Sequence, residues 1–260
     1  MLAHTAAGLR ILALHGGGTN AAMFRAQTAK LRHTLKNKAD FTFAEGTVST
    51  EALDPAIKKR FEGPFFSWYG VTHDDTSGKP YGECLLDNAI TFEYPHAYAA
   101  MDRLETIIEE DGPFDALLGF SQGAVLITML TALRLKRARE GTAPAPTWKL
   151  NVLVCGMPIR ANALARELQL DADGGKLEFP CLIAQGLQDP FYEWCQRVEE
   201  HYGSPSTLQY DDGHRFPHSR DDTQRLADAI LLGCGHEIDA SPSGTRGRAV
   251  PTGQVAFSGK

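Results

Sequence analysis

No stretch of the 260-residue sequence approaches the ~18 consecutive apolar residues that a membrane helix requires, so no bilayer span is expected. Cysteine is sparse and unpatterned. Cys84, Cys155, Cys181, Cys195 and Cys234 form no C-x-x-C pair, and their odd number argues against a disulfide framework; they read as reduced thiols that mostly pack. Basic charge is too dispersed for a nucleic-acid footprint. The formal net charge is −6, and the one Lys/Arg-rich run, RLKRARE at 134–140, falls where a helix should end and reads as a solvated terminus complementing its dipole. The leading MLAHTAAGLRILALHG lacks the basic n-region and cleavage pattern of a secretory signal. These absences predict a soluble protein with a cytoplasmic address and neither membrane nor nucleic-acid partners.

What is present is ordinary globular material, 43% hydrophobic and 22% charged, at a length suited to one large α/β domain. Short apolar runs at 9–15, 41–46, 114–120, 150–156, 179–186 and 206–212 predict strands, several without alternation, as in strands covered on both faces. Helix-length amphipathic stretches at 21–36, 95–111, 122–140, 160–168, 191–202 and 219–232 alternate with them. That rhythm predicts a three-layer α/β sandwich around a mostly parallel sheet. Residues 47–94 depart from it as a long, aromatic-rich insertion between the second and third predicted strands, expected to be ordered and functional. Residues 237–260, rich in Ser, Gly, Pro and Thr, are expected to form a mobile tail, leaving 1–236 as the folded domain.

One polar pentad interrupts the apolar stretch FDALLGFSQGAVLITML at 114–130. A strand ending at Phe120 and a helix starting near Gln122 leave Ser121 alone on the turn, where Gly119 and Gly123 remove the side chains that would block so tight a bend. This G-x-S-x-G pattern matches a nucleophile elbow; a serine-capped βα turn is the plainer alternative. A serine nucleophile needs an imidazole to take its proton and a carboxylate to orient that imidazole. Asp189 in LQDPF lies just past one predicted strand end and His214 in GHRFPH just past the next, in the chain order such an elbow requires. Asp211 and Asp212 are rival carboxylates, although they sit too close to His214 along an extended chain to reach its ring comfortably. His218 is the rival base. Its H-x-x-x-H pairing with His214 would need a helix to hold a metal, and Gly213 and Pro217 predict a loop. Cys155 and Cys181 lie inside apolar strands, where a thiolate would be poorly solvated.

The first predicted strand runs into LALHGGGTN, residues 12–20. Acyl transfer builds an oxyanion that needs donors already aimed at it. The backbone N–H of Gln122, next after the serine, is one such donor, and Gly17 is the favoured second, with Gly16 and Gly18 shaping the loop. The same glycines also satisfy G-x-G-x-x-A, with Glu45 placed as a ribose-binding acid would be, so a dinucleotide site is a competing reading.

Taken in order, H-G-G-G-T-N, G-F-S-Q-G-A, G-L-Q-D-P and G-H-R-F-P resemble the fungal family of serine hydrolases over about residues 9–232. The resemblance implies an α/β-hydrolase fold with Ser121 as nucleophile, Asp189 as acid, His214 as base and oxyanion donors near Gly17 and Gln122. With the G-P-F-F-x-W segment included, the chain is similar to hydrolases encoded beside fungal polyketide synthases, among them a lovastatin-releasing thioesterase. That similarity implies a small-molecule acyl ester or thioester substrate and, as partner, an acyl carrier protein of a polyketide synthase. Such acyl chains want an apolar trough, for which Phe65, Phe66, Trp68, Phe191 and Trp194 are the candidate walls. The chemistry requires no metal or organic cofactor. An acyltransferase or cyclase on the same triad, and a non-catalytic module binding an apolar ligand, are the alternatives.

Overall fold

The computed structural model of the protein describes residues 8–52, 58–170 and 175–237. Strand β1 (Leu9–Leu14), helices α1 (Ala21–Gln27) and α2 (Ala29–Thr34) and strand β2 (Ala39–Ala44) lead into the insertion. It holds β3 (Val48–Thr50), β4 (Phe65–Ser67), β5 (Thr72–His73), α3 (Tyr81–Leu86) and β6 (Phe92–Glu93). The chain returns through α4 (Ala97–Asp111), β7 (Ala116–Phe120), α5 (Gln122–Arg139), β8 (Leu150–Val154), α6 (Asn162–Glu167) and β9 (Cys181–Gly186). It finishes with α7 (Tyr192–Gln196), a 3-10 turn at Arg197–His201, β10 (Ser206–Tyr210) and α8 (Arg220–Gly233).

Six strands form the central sheet in the order β10-β9-β8-β7-β1-β2, and every pairing is parallel. Strand periodicity divides their side chains between two cores. Leu9, Ile11 and Ala13 of β1 join α1, α2 and α8 on one face, whereas Leu12 and Leu14 join α4, α5 and α6 on the other. Leu150, Val152 and Val154 of β8 likewise oppose Leu153. Because both faces are covered, the alternation survives in geometry while vanishing from hydropathy, and the runs read as uniformly apolar. This is the three-layer α/β-hydrolase arrangement expected. Its parallel strands put all their carboxyl ends at one edge, where the loops after β1, β7, β9 and β10 gather.

Local chemistry explains where the elements differ from expectation. The predicted helix 21–36 is two, separated at Thr28, whose hydroxyl donates to the carbonyls of Phe24 (2.8 Å) and Arg25 (3.3 Å) and so competes with the helical ladder. The predicted helix 191–202 tightens after Gln196 into the 3-10 turn. The basic run at 134–140 is more than a solvated terminus: Arg134 is buried with Nε 2.6 Å from Glu105 of α4, and Arg137 reaches the same carboxylate at 3.2 Å. The insertion folds as two small antiparallel ribbons, β3 with β4 and β5 with β6, plus α3. Among the described residues, no helix is long and apolar enough to cross a membrane. All five cysteines are free and buried. The predicted tail, from residue 238 on, lies outside the described residues.

Candidate active site

The turn between β7 and α5 places Ser121 at φ 50° and ψ −118°, a conformation that side chains other than glycine rarely adopt and that costs about 1–3 kcal/mol. Its surroundings over-determine it. The Ser121 N–H donates to the Val154 carbonyl of neighbouring β8 at 2.9 Å. A Cβ at position 119 would stand 2.5 Å from the Ala124 nitrogen, and one at 123 would stand 2.7 Å from the carbonyl oxygens of both Leu14 and His15. The two glycines therefore let the helix start fold onto its own strand and lean against β1.

Asp189 stands three residues past β9 and His214 four past β10, and the loops bring both to Ser121. His214 Nε2 lies 3.0 Å from Ser121 Oγ, and Nδ1 lies 2.6 Å from Asp189 Oδ2. The carboxylate beside Nδ1 holds the ring proton there and leaves Nε2 as acceptor for the serine hydroxyl. The other Asp189 oxygen accepts the Phe191 N–H at 2.8 Å. Burial of Asp189 opposes its charged form, yet the hydrogen bond and charge of His214 and the Phe191 amide outweigh that effect, so its pKa falls below the ordinary carboxylate value. The Asp189 side chain is 1% exposed and that of His214 19%, so the carboxylate is sealed while the ring reaches the surface.

The rival groups go elsewhere. Asp212 Oδ2 pairs with the exposed His218 Nδ1 at 2.7 Å, and Asp211 accepts from Gln188 Nε2 at 2.7 Å. Cys155 sits behind the relay, 3.1 Å from the Tyr210 hydroxyl, and burial pushes its thiol up to about 12, so the sulfur keeps its proton. Glu45 is spent locally, accepting the Ala21 N–H at 2.9 Å at the start of α1.

A mostly apolar cavity of about 580 Å³ opens over Ser121 and His214. Gly17 and Gln122 both line it, and among the described residues neither of their backbone N–H groups donates to another backbone group. Residues 5–226 match the family model described as Serine hydrolase (FSH1). The chain belongs to that family. Within its reach, this FSH1-family hydrolase is 31% identical to "Probable esterase tazC" of Aspergillus terreus over 250 residues, covering 85% of this chain and 91% of that protein. It is 28% identical to "Esterase FUS5" of Gibberella fujikuroi, covering 86% of each. Among solved structures it is similar to Zea mays acyl-protein thioesterase 2, with a TM-score of 0.56 and 18% identity over 88% of this chain and 94% of that one. A carboxylesterase from Mesorhizobium loti gives a TM-score of 0.56 and 16% identity over 86% and 88%. The last two likenesses establish the fold alone.

The walls of the hydrolase's cavity correct part of the expected set. Phe191 and Trp194 line it, whereas Phe65, Phe66 and Trp68 do not. Phe65 is buried, Phe66 is held by backbone pairing with Thr19, and Trp68 turns fully inward because its indole N–H finds the His15 carbonyl at 2.8 Å. Tyr69, Tyr81 and Tyr94 stand on the wall in their place, with Leu85 and Met157. Sequence reasoning also misses the Gln122 side chain. Its Oε1 accepts the Trp68 N–H at 2.8 Å and its Nε2 donates to the Tyr69 carbonyl at 2.9 Å, fastening the insertion to the elbow. A polar side chain directly after the serine is the one signal that could have flagged it.

Proposed function

We propose that this FSH1-family hydrolase cleaves an ester or thioester through an acyl-enzyme on Ser121. Ser121 Oγ attacks the carbonyl carbon while its proton passes to His214 Nε2, and the resulting oxyanion is held by the N–H groups of Gly17 and Gln122. Collapse of that intermediate expels the alcohol or thiol, which takes the proton from His214. Water then repeats the sequence and releases the acid. Asp189 keeps the ring in the required tautomer and stabilises its transient positive charge. The observation that carries this reading is the hydrogen-bonded series Asp189, His214, Ser121 at the floor of an apolar cavity of about 580 Å³.

The cavity's size and its tyrosine, leucine and methionine lining support an extended apolar acyl group of the polyketide kind, and the resemblance to polyketide-cluster hydrolases supports delivery on an acyl carrier protein. The five unpaired cysteines support a reducing, cytoplasmic setting. A fluorophosphonate probe should label Ser121, and Ser121→Ala should abolish labelling and lower kcat by about 10⁶. Acyl-N-acetylcysteamine thioesters should turn over faster than matched simple esters. A folded wild-type protein that resists the probe would overturn the acyl-enzyme, and equal rates on the two substrate series would remove the carrier-bound thioester.

A further inference from the structure

We infer that the buried pair His15 and Thr19 acts as the positioning device for the Gly17 oxyanion donor, by fixing the plane of the peptide that joins Gly16 to Gly17. The inference rests on the oxyanion role proposed for Gly17. In a trans peptide the C=O and N–H are coplanar and point in opposite directions, so anchoring one aims the other. Among the described residues the cis bonds are Gly63–Pro64 and Gly112–Pro113, which leaves the Gly16–Gly17 bond trans.

The Gly16 carbonyl oxygen is anchored twice. It accepts the Thr19 hydroxyl at 2.5 Å and lies 2.8 Å from His15 Nδ1. The tautomer follows from the other side of the ring: the Gly46 N–H donates to Nε2 at 3.0 Å, so the imidazole proton belongs on Nδ1, where it donates to Gly16. Glu45 Oε1 is also 3.1 Å from Nε2, but a ring nitrogen that accepts the Gly46 N–H in its single lone pair has no proton to give that carboxylate, which accepts the Ala21 amide. Burial keeps the ring neutral, with its pKa pushed down to about 4. Thr19 is fixed in turn by its backbone pairing with Phe66, at 2.7 Å and 3.3 Å.

The device answers a difficulty built into the loop. Three successive glycines are the most conformationally free stretch a chain can have, and a donor on such a stretch would wander. Side chains cannot stiffen it here, because a Cβ on Gly16 would stand 2.9 Å from the Phe120 ring. Rigidity has to come from hydrogen bonds made on the face away from substrate. With the Gly16 oxygen drawn toward His15 and Thr19, the Gly17 N–H is turned the opposite way, and Gly17 shares the cavity wall with Ser121 and Gln122.

Thr19→Val keeps the shape and removes the hydroxyl. Against wild type it should lower kcat at least about tenfold, part of the roughly 10²–10³ that loss of a whole oxyanion donor costs. KM and the affinity for the carboxylic acid product should stay within about twofold, while affinity for a trifluoromethyl ketone, which adds to the serine as a tetrahedral oxyanion, should fall with kcat. Thr19→Ser should restore both. His15→Asn, whose amide can supply the Nδ1 donor, should retain about tenfold more kcat than His15→Leu. Wild-type kcat and ketone affinity in folded Thr19→Val would overturn the inference. So would equal weakening of ketone and product without rescue by serine, which is the signature of a merely structural role. If Ser121→Ala itself turned over at the wild-type rate, the proposed function would fall instead, so the two failures are distinguishable.

Discussion

The central sheet and the insertion share one cavity but are held together in different ways. Strands β1, β7, β8 and β9 are buried on both faces, and a Cβ on Gly119 of β7 or Gly123 of α5 would stand 2.5 or 2.7 Å from backbone atoms. The insertion has only a small interior among its described residues, in which Cys84, Leu85, Ile90 and Phe92 cluster with Trp194 of α7. Its ribbons are two or three residues long, and single fasteners hold them: Gln122 to Trp68 and Tyr69, the Trp68 indole to His15, and the Arg160 guanidinium to the carbonyls of Leu85, Asp87 and Ile90. Groups that must keep sub-ångström geometry belong on the first kind of structure, and a wall that shapes a substrate site belongs on the second.

One glycine in each region puts that contrast to its severest test. Gly119→Ala sets a methyl 2.5 Å from a backbone nitrogen that cannot retreat, and should cost about 3 kcal/mol or more in chemical denaturation. Gly82→Ala in α3 meets only the Phe191 ring edge at 3.5 Å and gains helix propensity, so it should leave stability unchanged or raise it by about 0.5–1 kcal/mol. Comparable losses from both would erase the distinction. Acid tests two rings buried outside the insertion. His15 and His201 are buried with pKa values pushed down to about 4, and both accept backbone N–H bonds, from Gly46 and Ile159. The unfolded chain binds those protons near 6.5, so stability is full above that pH and is lost as the pH falls from about 6.5 to about 4, by at most about 3 kcal/mol for each ring. The Asp189 contribution has the same sign, present above the ordinary carboxylate value and lost as its lowered pKa is passed. Urea titrations at pH 7, 5.5 and 4 that superimpose would contradict this.

The same contrast separates what was legible in the sequence from what was not. β7 and β8 announce themselves because strands covered on both faces are uninterrupted apolar runs, and Ser121 is conspicuous as a polar break directly after one, with Asp189 and His214 in the loops three and four residues past later strand ends. Their meeting follows from parallel topology, which sends those ends to one edge. The insertion offers no comparable signal. Ribbons as short as Thr72–His73 have no measurable period, so nothing in FEGPFFSWYG says that Trp68 turns inward while Tyr69 reaches the cavity. That choice depends on a tertiary acceptor, the His15 carbonyl, contributed from more than fifty residues away. Asp212 and His218 show the converse: they lie 2.7 Å from each other and away from the serine, an outcome invisible to any count of candidate acids and bases.

The smallest effect should come from loosening the insertion alone. Arg160 is 3% exposed; its Nε donates to Leu85 at 3.2 Å and its Nη2 to Asp87 and Ile90 at 2.5 and 2.8 Å, with the Phe92 ring 5.1 Å away. Arg160→Met removes these ties while relieving the cost of burying a charge that no carboxylate among the described residues pairs with, so global stability should change by no more than about 1 kcal/mol. Locally, three carbonyls at the end of α3 lose their donors, and Tyr81 and Leu85 on the cavity wall lose their brace. Hydrogen exchange should therefore accelerate across residues 81–93 and stay unchanged in β7 and β8. KM for an apolar ester should rise about three- to tenfold, with kcat held within about twofold, because the wall contributes binding and the elbow contributes chemistry. A fall in kcat at constant KM, or exchange that quickens in sheet and insertion alike, would mean that the two regions are braced as one.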